Sequence, residues 1–217
     1  PVLCREAQQL GVSTVAVGTV HEAHTALAAF AGDVLVLEPF TPIDTAALGV
    51  WRDVLAHHGQ RTIVTIAGNH LHDAQSAGAQ RVRLEGATPM RRFGMTLAQM
   101  DAALRGTSHA LTIEGLSLHL PIAEPEAPAI PSLEVADGHV ASGWVRQCAT
   151  WLAQWRAVAS EHGLPLAVSV SHVATDDLGM LARLVPDSAI EVRIGTRLWL
   201  GCPRALRATG TVLAVHP

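Results

Sequence analysis

A chain of 217 residues with 49% apolar and 16% charged side chains carries enough apolar surface for one packed domain, which excludes a disordered or merely solvating segment. The formal net charge of −4, with arginines scattered singly or in pairs, excludes the basic field that nucleic acid requires. No apolar run reaches the roughly 18 residues of a membrane span, and three cysteines without CxxC spacing and no signal peptide point to the cytoplasm.

In chain order the periodicities predict a helix over 2–10, a strand over 13–18, a helix over 20–30, a strand over 33–38, a helix over 44–58 and a strand over 61–67. A helix over 71–77, a strand over 81–86, a helix over 97–105 and a strand over 111–119 follow. Residues 121–141, with four prolines and several acids, read as a long loop that is either a lid or a tolerated insertion. A helix over 143–162 comes next, with Ser142 as N-cap, Gly163 as terminator, and Trp144, Cys148, Trp151, Trp155 and Val158 at helical spacing for the core. A strand over 166–172, a helix over 176–184, a strand over 189–194 and a last strand from Thr209 complete the chain.

This βα alternation predicts an α/β fold, a (β/α)8 TIM-type barrel over residues 1–208. Because the chain opens on a helix and shows seven strands, the first strand is expected upstream of Pro1. Residues 209–217 are expected to lead into a separate C-terminal β domain.

Alternation along the strands places charges inside the sheet. Val82 and Leu84 suit the helix layer and turn Arg81, Arg83 and Glu85 inward. Glu191, Arg193 and Gly195 alternate with Ile190, Val192 and Ile194, and Ala167, Ser169 and Ser171 with Val168 and Val170. Such groups either hold a polar, anionic ligand or pair internally, for instance Arg83 with Glu191. Gly195 and Thr196, just past the last barrel strand, are candidate phosphate-cradling positions. GxGxxG, P-loop, GxSxG and HExxH motifs are all absent. His70-Leu-His72, His57-His58 and His21-Glu-Ala-His24 invite a metal reading, but His57 and His58 precede Gly59 at a helix end, and His21 and His24 sit in a helix start without a converging acidic or thiol set, so no metal site is predicted.

Three segments resemble the alanine racemase family in the family's order. Ala87-Thr-Pro-Met-Arg-Arg-Phe-Gly-Met95 is similar to its "DTGMGRLG", Ile113-Glu-Gly-Leu-Ser-Leu-His119 to "LEGLMTHF", and Glu191-Val-Arg-Ile-Gly-Thr-Arg-Leu-Trp199 to "MVRPGIALYG". Val12-Ser-Thr-Val-Ala-Val-Gly-Thr-Val-His-Glu-Ala23 resembles the strand and helix after the family's lysine-bearing strand. The resemblance implies a fold-type III enzyme, an isomerase of amino-acid metabolism. It would bind pyridoxal 5'-phosphate and a small amino acid, work as a cytoplasmic homodimer, and interconvert L- and D-enantiomers by two-base proton transfer.

Carried over, Arg193 would face the pyridine nitrogen. Gly195 and Thr196 would bind the phosphate, with Thr175 as a further hydroxyl. His119 would lie against the ring, His172 would match the histidine of "HTANS", and Arg92 would steer the substrate carboxylate. Glu85, in the place of a carbamylated lysine, would support Arg92. After His172 the chain continues Val-Ala-Thr-Asp where the family has Ala-Asn-Ser. The chain contains no lysine and no tyrosine, so neither the Schiff-base lysine nor the tyrosine base lies within it, and by itself it is expected to be inactive. The alternatives are a single-barrel pyridoxal-phosphate carrier and a non-catalytic binding barrel.

Overall fold

The computed structural model describes residues 2–106, 111–121, 142–173 and 175–195. The elements are α1 (Val2–Gln9), β1 (Thr14–Val17), a 3-10 turn (Val20–Glu22) running into α2 (Ala23–Ala29), β2 (Asp33–Pro39), α3 (Thr45–His58) and β3 (Thr62–Ile66). They continue with α4 (Leu71–Ser76), β4 (Arg81–Gly86), α5 (Leu97–Arg105), β5 (Thr112–Leu118), α6 (Gly143–His162), β6 (Ala167–Ser171), α7 (Thr175–Leu184) and β7 (Ala189–Arg193). Of the loop expected over 121–141, all but Pro121 lies outside the described residues, as does the strand expected from Thr209.

The helix boundaries follow from local chemistry. Asp44 accepts from the amides of Ala46 and Ala47 at the start of α3, and Ser142 accepts from Val145 N at the start of α6. Gly163 ends α6 at φ +64, a left-handed conformation that suits glycine. The single helix expected over 20–30 begins instead as a 3-10 turn, where the Glu22 carboxylate accepts from the Thr19 amide at 2.8 Å.

The seven strands among the described residues are all parallel and lie in strictly sequential order, β1 to β7. One face packs on the helices. Val34, Val36, Val64, Ile66, Val82, Leu84, Leu116, Leu118, Val168 and Val170 meet Leu27, Trp51, Val54, Met100, Leu104, Cys148, Leu152 and Trp155 there. Trp144 and Trp155 are core, as their spacing predicts.

The other face is concave. Side chains on it bridge strands that are not neighbours: Arg81 of β4 pairs with Asp33 of β2, Arg83 of β4 with Glu191 of β7, and Arg193 of β7 bonds Ser117 of β5. From β4 to β7 a flat sheet would span about 14 Å at the usual strand spacing of about 4.8 Å, so a bidentate pair across it indicates a sheet curled toward a barrel. A doubly wound sheet would reverse its strand order at some point, and this one does not.

One irregularity sets what the concave face contains. Between Val82 and Leu84 of β4, the register with β5 slips by one residue, since Val82 pairs with Ile113 and Leu84 with Leu116. The extra residue is accommodated at Gly115, at φ +127, where a Cβ would sit 2.3 Å from the Ala167 carbonyl oxygen. Glu114 and Ser117, three apart and so destined for opposite faces in a regular strand, therefore both turn inward.

Candidate functional site

The concave face carries two tiers of polar side chains. The lower tier is an internal charge network. Arg81 pairs with Asp33 at 2.7 Å and also with Glu114, while Arg83 donates to both Glu191 oxygens at 2.9 and 2.6 Å and lies 3.7 Å from Glu114. Ser169 donates to Glu191 as well, at 3.3 Å. Of the two outcomes open to these charges, internal pairing is the one realised for Arg83. A small concavity lined by Arg83, Glu114, Ala167, Ser169, Ala189 and Glu191 opens beside this tier, near the N-terminal ends of β6 and β7. Each of its charged groups has an ion-pair partner within the network.

The upper tier lies at the C-terminal ends of β4 to β7, where parallel α/β sheets place their sites. Arg193, the last residue of β7, donates through one terminal nitrogen to Ser117 Oγ at 2.5 Å, Ser169 Oγ at 2.9 Å and the Ser169 carbonyl at 3.1 Å. Its other terminal nitrogen donates to the Leu118 carbonyl at 3.1 Å. Burial lowers its pKa to about 10, against the opposing pull of Glu85, so the guanidinium remains charged near neutrality.

Glu85, near the end of β4, is buried, and that burial raises its pKa while Arg193 and then Arg92 lower it. The same two guanidiniums act on His119. Burial first, then Arg193, Arg92 and His172, bring its pKa down to about 4, so the ring is neutral near pH 7.

His119 and His172 meet edge to face with ring centroids 5.4 Å apart. His172 Nδ1 lies 2.6 Å from the Leu120 carbonyl, an interaction that fits Nδ1–H as donor. Its backbone sits at φ +61, uncommon for a residue other than glycine. The turn is tied down from both sides, since Leu120 N donates to Ser171 Oγ at 3.1 Å and Thr88 Oγ1 to the His119 carbonyl at 2.6 Å.

Arg92 belongs to the segment after β4, which folds back on that strand. Met95 N donates to the Glu85 carbonyl at 2.8 Å and Ala87 N to the Met95 carbonyl at 2.9 Å. Gly94 allows this close return, at φ +121, where a Cβ would lie 2.6 Å from the backbone of Gly86 and Ala87. Arg92 itself is exposed and lies over Phe93, 5.1 Å from the ring centroid.

The structure thus brings Arg193, Glu85, Arg92, His119 and His172 to one end of the sheet. Gly195 is exposed just past β7. Thr196 lies outside the described residues, as does the side chain of Thr175 at the start of α7. Sequence periodicity missed Glu114 and Ser117, and the only sign of them is Gly115 interrupting an otherwise alternating strand. Among the described residues no helix is long and apolar enough to cross a membrane.

No family model and no curated protein is significantly similar to the chain. Solved structures are similar in fold: two crystal structures of lysine decarboxylase from Selenomonas ruminantium superpose with TM-scores of 0.55 and 0.56 at 16% identity. Each match covers 88% of this chain but only 51% and 50% of the decarboxylase chain, so the chain spans about half the length of these neighbours. At that identity the likeness establishes an α/β fold with a curled parallel sheet, and nothing finer.

The alanine racemase reading is corrected by this finding. The structures that share the fold are named for a decarboxylase, a lyase, and not for an isomerase or racemase. The racemase resemblance rested on short segments that the fold itself explains, namely the Gly94 return after β4, the β5 strand and the β7 strand end. The pyridoxal 5'-phosphate drawn from it is withdrawn too, together with the carrier alternative. The chain has no lysine to hold that group as an imine, and Arg193, assigned to its ring nitrogen, is spent on Ser117, Ser169 and the Leu118 carbonyl.

Proposed function

We propose that the rim at the C-terminal ends of β4 to β7 binds a small carboxylate-bearing ligand of the amino-acid class, within a sheet that forms most of a (β/α)8 barrel. The observation that carries the reading is the gathering of Arg193, Glu85, His119 and His172 at the C-terminal ends of the strands, with Arg92 on the segment that folds back over β4. Arg193 and Arg92 both act on Glu85 and both act on His119. One carboxylate against two guanidiniums leaves a net positive charge, felt most strongly at the buried Arg193 and Glu85. An anion resolves that excess, and Glu85 offers a counter-charge for an ammonium group on the same ligand. The neutral His119 ring adds hydrogen-bonding nitrogens without adding charge, and the His172 ring packs edge to face against it.

The barrel reading is supported by the unbroken strand order and the bridges across the concave face, and it puts the rim where barrel enzymes work. The remaining strand would come from outside residues 2–195. For the reaction class, the name of the fold neighbours favours decarboxylation of an amino acid by the whole protein, working as a homodimer. Within these 217 residues the groups at hand bind, orient and neutralise charge.

Binding is tested by thermal-shift and calorimetric titration with lysine, glutamate, acetate and inorganic phosphate. Carboxylates should raise the melting temperature and the effect should shrink in Arg92→Ala, whose exposed side chain can be removed at little cost in stability. No response to any carboxylate, or an undiminished response in the variant, would overturn the reading. The reaction class is tested in the whole protein by carbon dioxide release from amino acids, and racemisation without that release would refute it.

A further inference from the structure

The seam between α5 and α6, on the helical side of the sheet and remote from the rim, brings three potential metal ligands together. His162 Nε2 lies 2.9 Å from Asp101 Oδ1, and ligand atoms of His162, Asp101 and Glu161 all fall within 4.8 Å of one another. Asp101 stands on α5, while Glu161 and His162 close α6. We infer that His162, Asp101 and Glu161 form a binding site for a divalent transition-metal ion such as Zn2+.

Four features support the assignment. Ligand spacing comes first: zinc bonds of about 2.0–2.2 Å in a tetrahedral set place neighbouring ligand atoms about 3.3–3.5 Å apart, and the 2.9 Å between His162 and Asp101 and the 4.8 Å limit on the whole set bracket that spacing, so small side-chain shifts suffice to close on an ion. The donor set is one imidazole nitrogen and two carboxylates, a mixture that suits zinc and its neighbours better than calcium or magnesium. Position adds to this. Glu161 and His162 sit in the last turn of a 20-residue helix, where the helix dipole places partial negative charge and favours a cation. Rigidity is graded in a useful way. His162 and Asp101 are held by packing, with side chains only 16% and 24% exposed, whereas Glu161 is free enough at 59% to close on an ion.

A side-chain cation already occupies the seam. Arg105 Nη2 lies 2.7 Å from Asp101 Oδ2 and 3.5 Å from Glu161 Oε1. Hydrogen bonding from His162, aided by Arg105, holds the Asp101 carboxyl below the usual carboxylate range. The guanidinium is itself 63% exposed and can swing out into water. A metal ion entering the seam therefore competes with Arg105, which distinguishes this site from an ordinary salt-bridge cluster: deleting the arginine should improve binding.

The test is calorimetric titration of the chain with Zn2+, together with visible spectra of the Co2+ form, in wild type, Arg105→Ala, His162→Gln and Asp101→Asn. One equivalent of zinc is expected, bound several-fold tighter by Arg105→Ala and lost in both His162→Gln and Asp101→Asn. Because a misfolded variant would also lose binding, circular dichroism of each must match wild type before its loss is counted. Zinc that binds equally well to His162→Gln or Asp101→Asn would place the ion on other histidines, such as His24, His57 and His58, and overturn the proposal. So would an Arg105→Ala protein that binds no metal.

Discussion

Arg83 is held by carboxylates on two other strands, Glu114 and Glu191, with its own side chain only 10% exposed. Removing one partner of such a buried pair costs more than the pair contributes, because the surviving charges stay in a poorly solvated place. Because Glu191 is 41% exposed and can be partly resolvated, Arg83→Met is expected to lower the unfolding free energy by about 1–3 kcal/mol, read from urea denaturation. The double variant with Glu191→Gln should recover part of that loss, since it also removes the stranded carboxylate.

His119 makes a prediction at the same scale. Its pKa is about 4 in the folded chain against 6.5 for an unperturbed ring, so between those values the unfolded chain binds a proton that the native chain does not. The His119 contribution is thus fully present above pH 6.5 and lost as pH falls toward 4. An NMR titration should show its ring inflecting near 4, and His119→Gln should flatten the decline in stability over that window. A ring that titrates near 6.5 would mean that burial and the two guanidiniums do not act on it as described.

At the scale of the element, two glycines with different geometry separate backbone need from composition. Gly115 stands at φ +127 with no room for a Cβ beside Ala167, whereas Gly49, inside α3, has nothing within 4 Å of where a Cβ would be. Gly115→Ala should destabilise the protein severely, by more than about 2 kcal/mol. Gly49→Ala should stabilise it by up to about 1 kcal/mol through helix propensity. Paired thermal melts check both at once. The contrast also shows what periodicity reads well. The helices and strands lie within one or two residues of their expected positions, because apolar spacing and caps such as Asp44, Ser142 and Gly163 are local signals. The β5 bulge is not local in that sense. It is defined by how β5 lies against β4, and its effect, turning Ser117 toward Arg193, appears only once the strands are paired.

For the molecule as a whole, β3 and β4 lie mid-sheet and are almost entirely buried, while β1 and β7 have a partner strand on one side only among the described residues. Hydrogen exchange of the 217-residue chain should therefore rank the amides of β3 and β4 slowest and those of β1 and β7 fastest. Equal protection across the sheet would indicate that the outer strands are paired by further residues.

The sequence by itself determined the order and type of the elements, the inward turn of Arg83, Glu191 and Arg193, and the pairing open to Arg83. Each of these follows from the period of a single strand or helix. Only the tertiary structure decided that Arg193 is spent on Ser117 and Ser169, that Arg92 and Arg193 converge on His119 and Glu85, and that His162 meets Asp101. It also decided against the racemase reading, which short matching segments had suggested. Contacts between residues many tens of positions apart depend on how the sheet curls and where strands slip, and beyond the interruption at Gly115 no local pattern of residues records either.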